Sequence, residues 1–175
     1  MRITPLRPWM LVLLISGGLP VALAASTDSA PVEKKWKSTG LDLLERVNAV
    51  RTVPRSCGEK QYPAAHPLAW NDQLAQAAFD HSRDMVVHTT LSHVGSDGSD
   101  LGARVSRAGY RWQAIGENIA SGQVEVEKTL AGWLSSPGHC ANIMNPQFTE
   151  MGAAYAMGEQ GSAAIYWTQV FATAP

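Results

Sequence analysis

The sequence predicts an α+β fold in which helices pack on an antiparallel β-sheet. Through most of the chain, apolar residues recur at helical spacing between turns rich in Gly, Pro and Ser. Near the C-terminus, residues 151–157 and 163–172 flank a Gly-rich loop, and aromatic residues, a Val and an Ile in the second segment favour a strand hairpin. Helices followed by strands, with no internal repeat, indicate one α+β domain.

The first 24 residues have the three parts of a cleaved export signal. Arg2 and Arg7 form a positive start, residues 9–15 are apolar, and Ala22-Leu23-Ala24 is a small-x-small cleavage sequence. A membrane anchor is the alternative, but the apolar run is short and broken by Gly and Pro, whereas a spanning helix needs about 20 apolar residues. We predict cleavage near Ala24, a secreted or periplasmic protein, and no stable membrane insertion.

The charge balance bears on the class of partner. Loss of the signal removes two arginines, so 14 Lys and Arg residues fall to 12 against 15 Asp and Glu, a formal charge of −3. Binding of nucleic acid or anionic membranes rests on concentrated positive charge. The mature chain is therefore not expected to bind nucleic acid.

The first helix is predicted to follow a flexible lead-in. Residues 25–38 are small, polar and charged, which is typical of a flexible segment. The helix is expected to begin at Ser38 or Thr39 and to end before Pro54. Its apolar positions are Leu41, Leu44, Val47 and Val50. The domain itself is thus predicted over residues 39–175.

Further helices are predicted from their caps and apolar spacing. The second helix is capped by Asn71, and the third is capped by Ser99 or Asp100 and ends at Gly109. The fourth helix runs from Val124 to Leu134, and a short fifth helix runs from His139 to Met144. The segment at 91–100 between the second and third is rich in Gly, Ser and Asp, so we expect a loop there.

The two cysteines, Cys57 and Cys140, suggest one disulfide. An even cysteine count in an exported chain favours a bridge. Such a bridge would close a long loop, which the chain-entropy model values at roughly 4 kcal/mol less any strain. Two buried free thiols are the alternative.

Two histidines and one glutamate stand in segments shaped like sites. His93 lies just before the Gly-rich loop, His139 follows a Ser-Ser-Pro-Gly break, and Glu117 is flanked by Gly and apolar residues. Spacing alone is weak support, because scattered polar residues are more often solvated or structural.

Five motifs in order give the chain a resemblance to a known family. They are Ser92-His93, Gly116-Glu117-Asn118-Ile119, the run from Trp133 to His139, Asn142-Ile143-Met144, and the run from Tyr166 to Phe171. Together they resemble a bacterial, secreted member of the CAP superfamily, which includes cysteine-rich secretory proteins, antigen 5 and pathogenesis-related class 1 proteins, and whose domain is also called the SCP domain. The resemblance covers about residues 40–172.

The resemblance implies a three-layer α-β-α sandwich with a central antiparallel sheet and a cleft lined by two histidines and two glutamates. By motif, His93 and His139 match the histidines and Glu117 the first glutamate. The second glutamate is expected where this chain has Ser136, which puts in doubt any activity that needs both carboxylates. Asn118 and Asn142 are expected to support the cleft through bonds to the backbone.

Two interpretations of this trio remain open. Two imidazoles and one carboxylate can form the first shell of a zinc ion, with a fourth position for water. Alternatively, Glu117 accepts a hydrogen bond from a histidine and holds it in one tautomer, which makes a polar cleft without a metal. We favour a cleft that needs no cofactor and binds a divalent metal such as zinc weakly.

Other candidate sites are weaker. His81, Met85 and His88 can share one helix face, but exposed histidines are a better interpretation than a second metal site. Asp97 and Asp100 lack the full calcium-loop pattern. Neither Ser92 nor Ser99 lies in a nucleophile elbow, so a serine nucleophile is not expected.

Three functions are compatible with these residues. The favoured one is a secreted, non-enzymatic binding module for a small ligand, a lipid, a peptide or a divalent metal. A metal-assisted hydrolase or peptidase that uses the same cleft is the alternative. The third is a protein that interacts with a cell-envelope partner through its surface.

Overall fold

A computed structural model describes residues 29–158 and 165–175, with side chains from residue 35 onward. The predicted signal at 1–24 lies outside the described residues. The elements in chain order are α1 (Ser29–Arg51), β1 (Arg55–Cys57), β2 (Lys60–Tyr62), β3 (Ala69–Trp70), α2 (Asp72–His88), α3 (Leu101–Arg107), β4 (Ala114–Ser121), α4 (Val126–Ser135), α5 (Pro137–Met144), β5 (Glu150–Met157) and β6 (Ile165–Thr173). Within those residues, no helix is long and apolar enough to cross a bilayer.

The central sheet has the strand order β3-β5-β6-β4 and helices on both faces. Strands β5 and β6 form the predicted hairpin, and β4 pairs antiparallel with β6. Helices α1, α4 and α5 share one apolar core with the sheet, and α2 and α3 share the other. The three-layer α-β-α sandwich is therefore confirmed. The parallel pairing of β3 with β5 is an addition that the sequence analysis did not predict.

Helix α1 begins earlier than predicted. It is helical from Ser29, so the predicted start at Ser38 or Thr39 was wrong. The physical reason lies in Trp36, which is buried and stacks on Phe79 of α2 with ring centroids 4.8 Å apart. One aromatic anchor offsets the low apolar content of the surrounding turns.

The predicted helix caps are largely present. The Asn71 side chain accepts hydrogen bonds from the backbone N–H groups of Gln73 and Leu74. Asp100, rather than Ser99, caps α3 by accepting from the N–H of Ala103 at 2.7 Å. Helix α5 begins at Pro137, two residues before the predicted start, because proline suits the first helical position.

A disulfide joins Cys57 to Cys140 across 83 residues, which excludes the alternative of two free thiols. The segment around Cys57 forms a short antiparallel ribbon, β1–β2. The bridge ties this ribbon to α5, in the turn that follows His139.

A buried arginine supplies a second tie between the layers. Arg51, at the end of α1, donates hydrogen bonds to the backbone carbonyls of His66, Ile143, Asn145 and Phe148. Burial lowers the pKa of its guanidinium. The four carbonyls satisfy a charge that would otherwise be costly to bury, and they fix the end of α5 against α1.

Helix α2 lies unusually close to β5 at Gly152. A Cβ atom at this position would lie 2.1 Å from the backbone nitrogen of Ala75 and 2.4 Å from the carbonyl carbon of Leu74. Backbone atoms of a packed helix cannot move aside as a flexible side chain can. The close packing of α2 on β5 therefore requires glycine at position 152.

We expect Gly152→Ala to destabilise the fold by about 1–3 kcal/mol or more, because overpacking must displace α2. Gly132→Ala is the matched control: nothing lies within 4 Å of its Cβ, and it sits inside α4. The control should stabilise the protein by about 0.5–1 kcal/mol. Urea unfolding of both variants measures the difference. Equal stability of the two variants would contradict the close contact.

Candidate functional site

The site is built on His93 and Glu117, which meet at the outer strand of the sheet. His93 lies in the loop between α2 and α3, and Glu117 lies on β4. The Nδ1 of His93 is 2.7 Å from Oε1 of Glu117. The side chain of Glu117 is only 4% exposed, whereas that of His93 is 57% exposed. The carboxylate therefore lies behind the imidazole and orients it toward solvent.

This hydrogen bond decides the tautomer of His93. A carboxylate only accepts, so Nδ1 carries the proton and Nε2 is left with a free lone pair. The same bond raises the pKa of His93, against the lowering effects of burial and of the Arg104 charge. A neutral imidazole held in this way can accept a proton or bind a metal ion through Nε2.

Arg104 holds the other side of Glu117, and the sequence analysis missed it. Its Nη2 lies 2.7 Å from Oε2 of Glu117, and its side chain is 6% exposed. Its Nη1 donates to the backbone carbonyls of His93 and Ser99. A signal was available, because Arg104 shares a helical face with Leu101, Val105 and Ala108 and so falls on the buried side of α3.

The loop that carries His93 is also held from α2. Nε2 of buried His81 lies 2.8 Å from the Ser92 carbonyl oxygen, and burial lowers the pKa of His81. The expectation that His81 is an exposed helix histidine was therefore wrong. His88 contacts Asp84 of its own helix instead, so His81 and His88 do not share one site.

His139 lies on α5, in the helical layer opposite to that of α2 and α3. The Asn118 side chain donates to the His139 carbonyl at 3.2 Å, and Asn142 donates to the Glu117 carbonyl at 3.1 Å. Asn142 also donates to Asn118, which in turn donates to Gln169 of β6. These amides join the His139 segment to the strand of Glu117, as Asn118 and Asn142 were expected to do; Gln169 was not foreseen.

The pKa of His139 is lowered. Burial lowers the pKa of His139, and the nearby charge of His93 lowers it further. Ser136, at the position of the family's second glutamate, forms the junction of α4 and α5, where its carbonyl accepts from the N–H of Cys140. No carboxylate side chain is contributed at that position.

A zinc site that uses all three predicted side chains does not fit this arrangement. Within 29–158 and 165–175, no three His, Cys, Asp or Glu side chains are grouped so that they could hold a metal ion. The reason lies in Glu117, whose two oxygens bond His93 and Arg104. Of the three predicted side chains, only those of His93 and His139 are therefore left as candidate metal ligands.

The other polar residues of the loop have local partners. Asp97 accepts from the N–H of Ser99 and pairs with Arg107, and the Ser99 bonds lower the pKa of Asp97 to about 2. The Ser92 hydroxyl donates to the Val94 carbonyl. These bonds make turns, in agreement with the interpretation of this segment as a loop with a helix cap.

A family comparison identifies the domain. The model of the CAP family, described as the cysteine-rich secretory protein family, matches residues 44–171. The chain belongs to the CAP family. The match includes both cysteines of the disulfide as well as His93, Glu117 and His139, so the predicted membership is confirmed.

Relatives and solved structures agree with this membership. The chain is 28% identical over 158 residues to YkwD of Bacillus subtilis, covering 83% of this chain and 60% of that protein. It is 30% identical over 146 residues to the membrane protein YlbC of the same organism, covering 79% of this chain and 37% of YlbC. The chain thus spans less than two thirds of either relative.

Among solved structures, an extracellular protein containing an SCP domain from Bacillus anthracis matches with a TM-score of 0.69 and 27% identity, over 85% of this chain and 45% of that one. An outer surface protein of Borrelia burgdorferi matches with a TM-score of 0.62 and 16% identity, over 85% of this chain and 96% of that one. The second likeness concerns the fold alone.

We expect Glu117→Gln to lower the pKa of His93, because the accepting charge is lost while burial and Arg104, which both lower this pKa, remain. His93→Ala should raise the pKa of His139. NMR titration of the histidine ring protons measures both. Glu125→Gln, an exposed change at the start of α4, is the control. An unchanged pKa of His93 in Glu117→Gln would contradict the contact.

The same contact predicts a pH dependence of stability. The folded-state pKa of His93 lies above its ordinary value of 6.5. The stabilisation from the protonated ring is therefore complete below that ordinary value and is lost as pH rises through the raised pKa. As the pH rises from 6.5 through the raised pKa of His93, the wild type should lose this stabilisation. Its free energy of unfolding should therefore come closer to that of Glu117→Gln.

Proposed function

We propose that this CAP domain is a non-enzymatic binding module that holds a small polar ligand between His93 and His139. The observation that carries the proposal is the bond from His93 Nδ1 to buried Glu117 at 2.7 Å. It presents Nε2 to the cleft in one tautomer and in one orientation. Pre-orientation of this kind lowers the entropic cost of binding.

The fold supports binding at this place. The loop of His93 is held by His81 and Arg104, and the segment of His139 is held by Asn118 and the disulfide. Both imidazoles therefore stand on rigid supports, although they come from opposite layers of the sandwich. A rigid, partly exposed pair of imidazoles is typical of a recognition site rather than of a packing contact.

We also propose that the domain acts outside the cytoplasm, where a cell-envelope molecule is its partner. The N-terminal sequence supports export, and the similar protein of B. anthracis is described as extracellular. The disulfide is consistent with an oxidising compartment.

Zinc is a suitable probe of the cleft, because imidazole is one of its preferred ligands. We expect isothermal titration to give weak binding with a stoichiometry near one, lost in the His93→Ala/His139→Ala double variant. The His66→Ala/His88→Ala double variant is the matched control, since both side chains are exposed and lie outside the cleft. Equal binding by the cleft variant and the wild type would disprove a ligand site at these two histidines.

A hydrolase is a second candidate, which the His93–Glu117 pair favours. A carboxylate that orients an imidazole is the usual support of a general base. In this arrangement His93, not buried Glu117, would take the proton. Turnover of a peptide or ester library that is lost in Glu117→Gln would support the hydrolase over the binding module.

A lipid is a second ligand class for the binding module, supported by an apolar groove away from the cleft. The groove has a volume of about 500 Å³ and is walled by Trp36, Phe79, Tyr155 and Met157, with Lys35 and Arg83 at its rim. An increase in melting temperature with lipid extract, retained in the His93→Ala/His139→Ala variant, would assign lipid to this groove rather than to the cleft.

A further inference from the structure

The environment of Glu117 bears on which ligands the cleft can take. Its carboxylate forms an ion pair with Arg104 at 2.7 Å, and neither side chain is more than 6% exposed. Its other oxygen accepts from His93. Both oxygens thus already have a charged or polar donor, and neither is directed at an open position in the cleft.

Arg104 binds the loop that carries His93 as well as Glu117. Its Nη1 donates to the carbonyl of His93 at 3.0 Å and to that of Ser99 at 2.9 Å. Movement of the guanidinium away from the carboxylate would break these two hydrogen bonds, which join α3 to the loop. The guanidinium is therefore a fixed charge behind the imidazole of His93.

This fixed charge opposes the binding of a cation. A divalent metal ion is favoured by carboxylates that carry uncompensated negative charge. The charge of Glu117 is compensated by Arg104, and Ser136 contributes no carboxylate. A cation at His93 would therefore meet two imidazoles and, behind one of them, a neutral ion pair.

We infer that Arg104 is the specificity-determining residue of the cleft, because it withholds Glu117 from divalent cations. The inference rests on the proposed function in that it concerns the same pair of histidines. It differs from that proposal in assigning the preference against metal ions to a residue of α3 that contacts no ligand directly.

The test is a cycle of variants titrated with zinc at pH 8. Arg104→Gln removes the charge but keeps an amide donor for Glu117, whereas Arg104→Lys keeps the charge. Arg107→Gln is the matched control, since it lies one turn along α3 and pairs with Asp97 on the surface. We expect Arg104→Gln to bind zinc ~10-fold tighter than the wild type, the scale typical of changes next to a metal site.

Arg104→Lys and Arg107→Gln should bind zinc as the wild type does. In the Arg104→Gln background, Glu117→Gln should abolish the gain in zinc affinity, because the uncompensated carboxylate is then absent. A folded Arg104→Gln protein without tighter binding would overturn the inference. So would zinc binding ~10-fold tighter in Arg104→Lys, which keeps the charge, a measurement that does not require Arg104→Gln to fold.

The two proposals fail in different ways. If the wild type and the His93→Ala/His139→Ala variant bind zinc equally, the histidine site is absent, whatever Arg104 does. If zinc binding needs the histidines but is unaffected by Arg104→Gln, the site stands and the role of Arg104 is disproved.

Discussion

The need to pair the buried carboxylate of Glu117 determines how the residues around it are arranged. Glu117 lies on an outer strand with its side chain almost wholly covered. An ionised group in that position is costly unless other groups compensate it, and removal of one partner from such a pair is strongly destabilising. Arg104 and His93 provide the compensation from α3 and from the preceding loop. Because the same guanidinium binds two loop carbonyls, satisfying the charge also shapes the loop that presents His93.

The segment that carries His139 is held by neutral hydrogen bonds rather than by an ion pair. Neutral amides of Asn118, Asn142 and Gln169 form a chain of hydrogen bonds between the sheet and α5. The disulfide and the two bonds of Arg51 to the carbonyls of Ile143 and Asn145 fix the same helix. His139 therefore stands on a support independent of the ion pair. The loop of His93 and the helix of His139, 46 positions apart in the chain, are thus both tied to β4.

Membership of a family and chemistry of a site are separate matters in this protein. The chain belongs to the CAP family, and its structure places His93 on Glu117 and ties the backbone of His139 to the same strand through Asn118. Within that frame, a serine replaces one acid and a buried arginine neutralises the other. Fold alone does not determine function, since function depends on the particular groups in a site. In this chain those groups leave two imidazoles as the accessible polar surface.

The sequence by itself determined the fold class, the family, the hairpin and most helix caps, because periodicity, cap chemistry and motif order are local properties. It did not predict that α1 extends back to Ser29, since one contact of Trp36 with a distant helix decides it. Nor did it predict the partners of Glu117. Arg104 is 13 positions away and on another element. Whether a carboxylate faces a metal, a histidine or an arginine depends on distances that only tertiary packing sets.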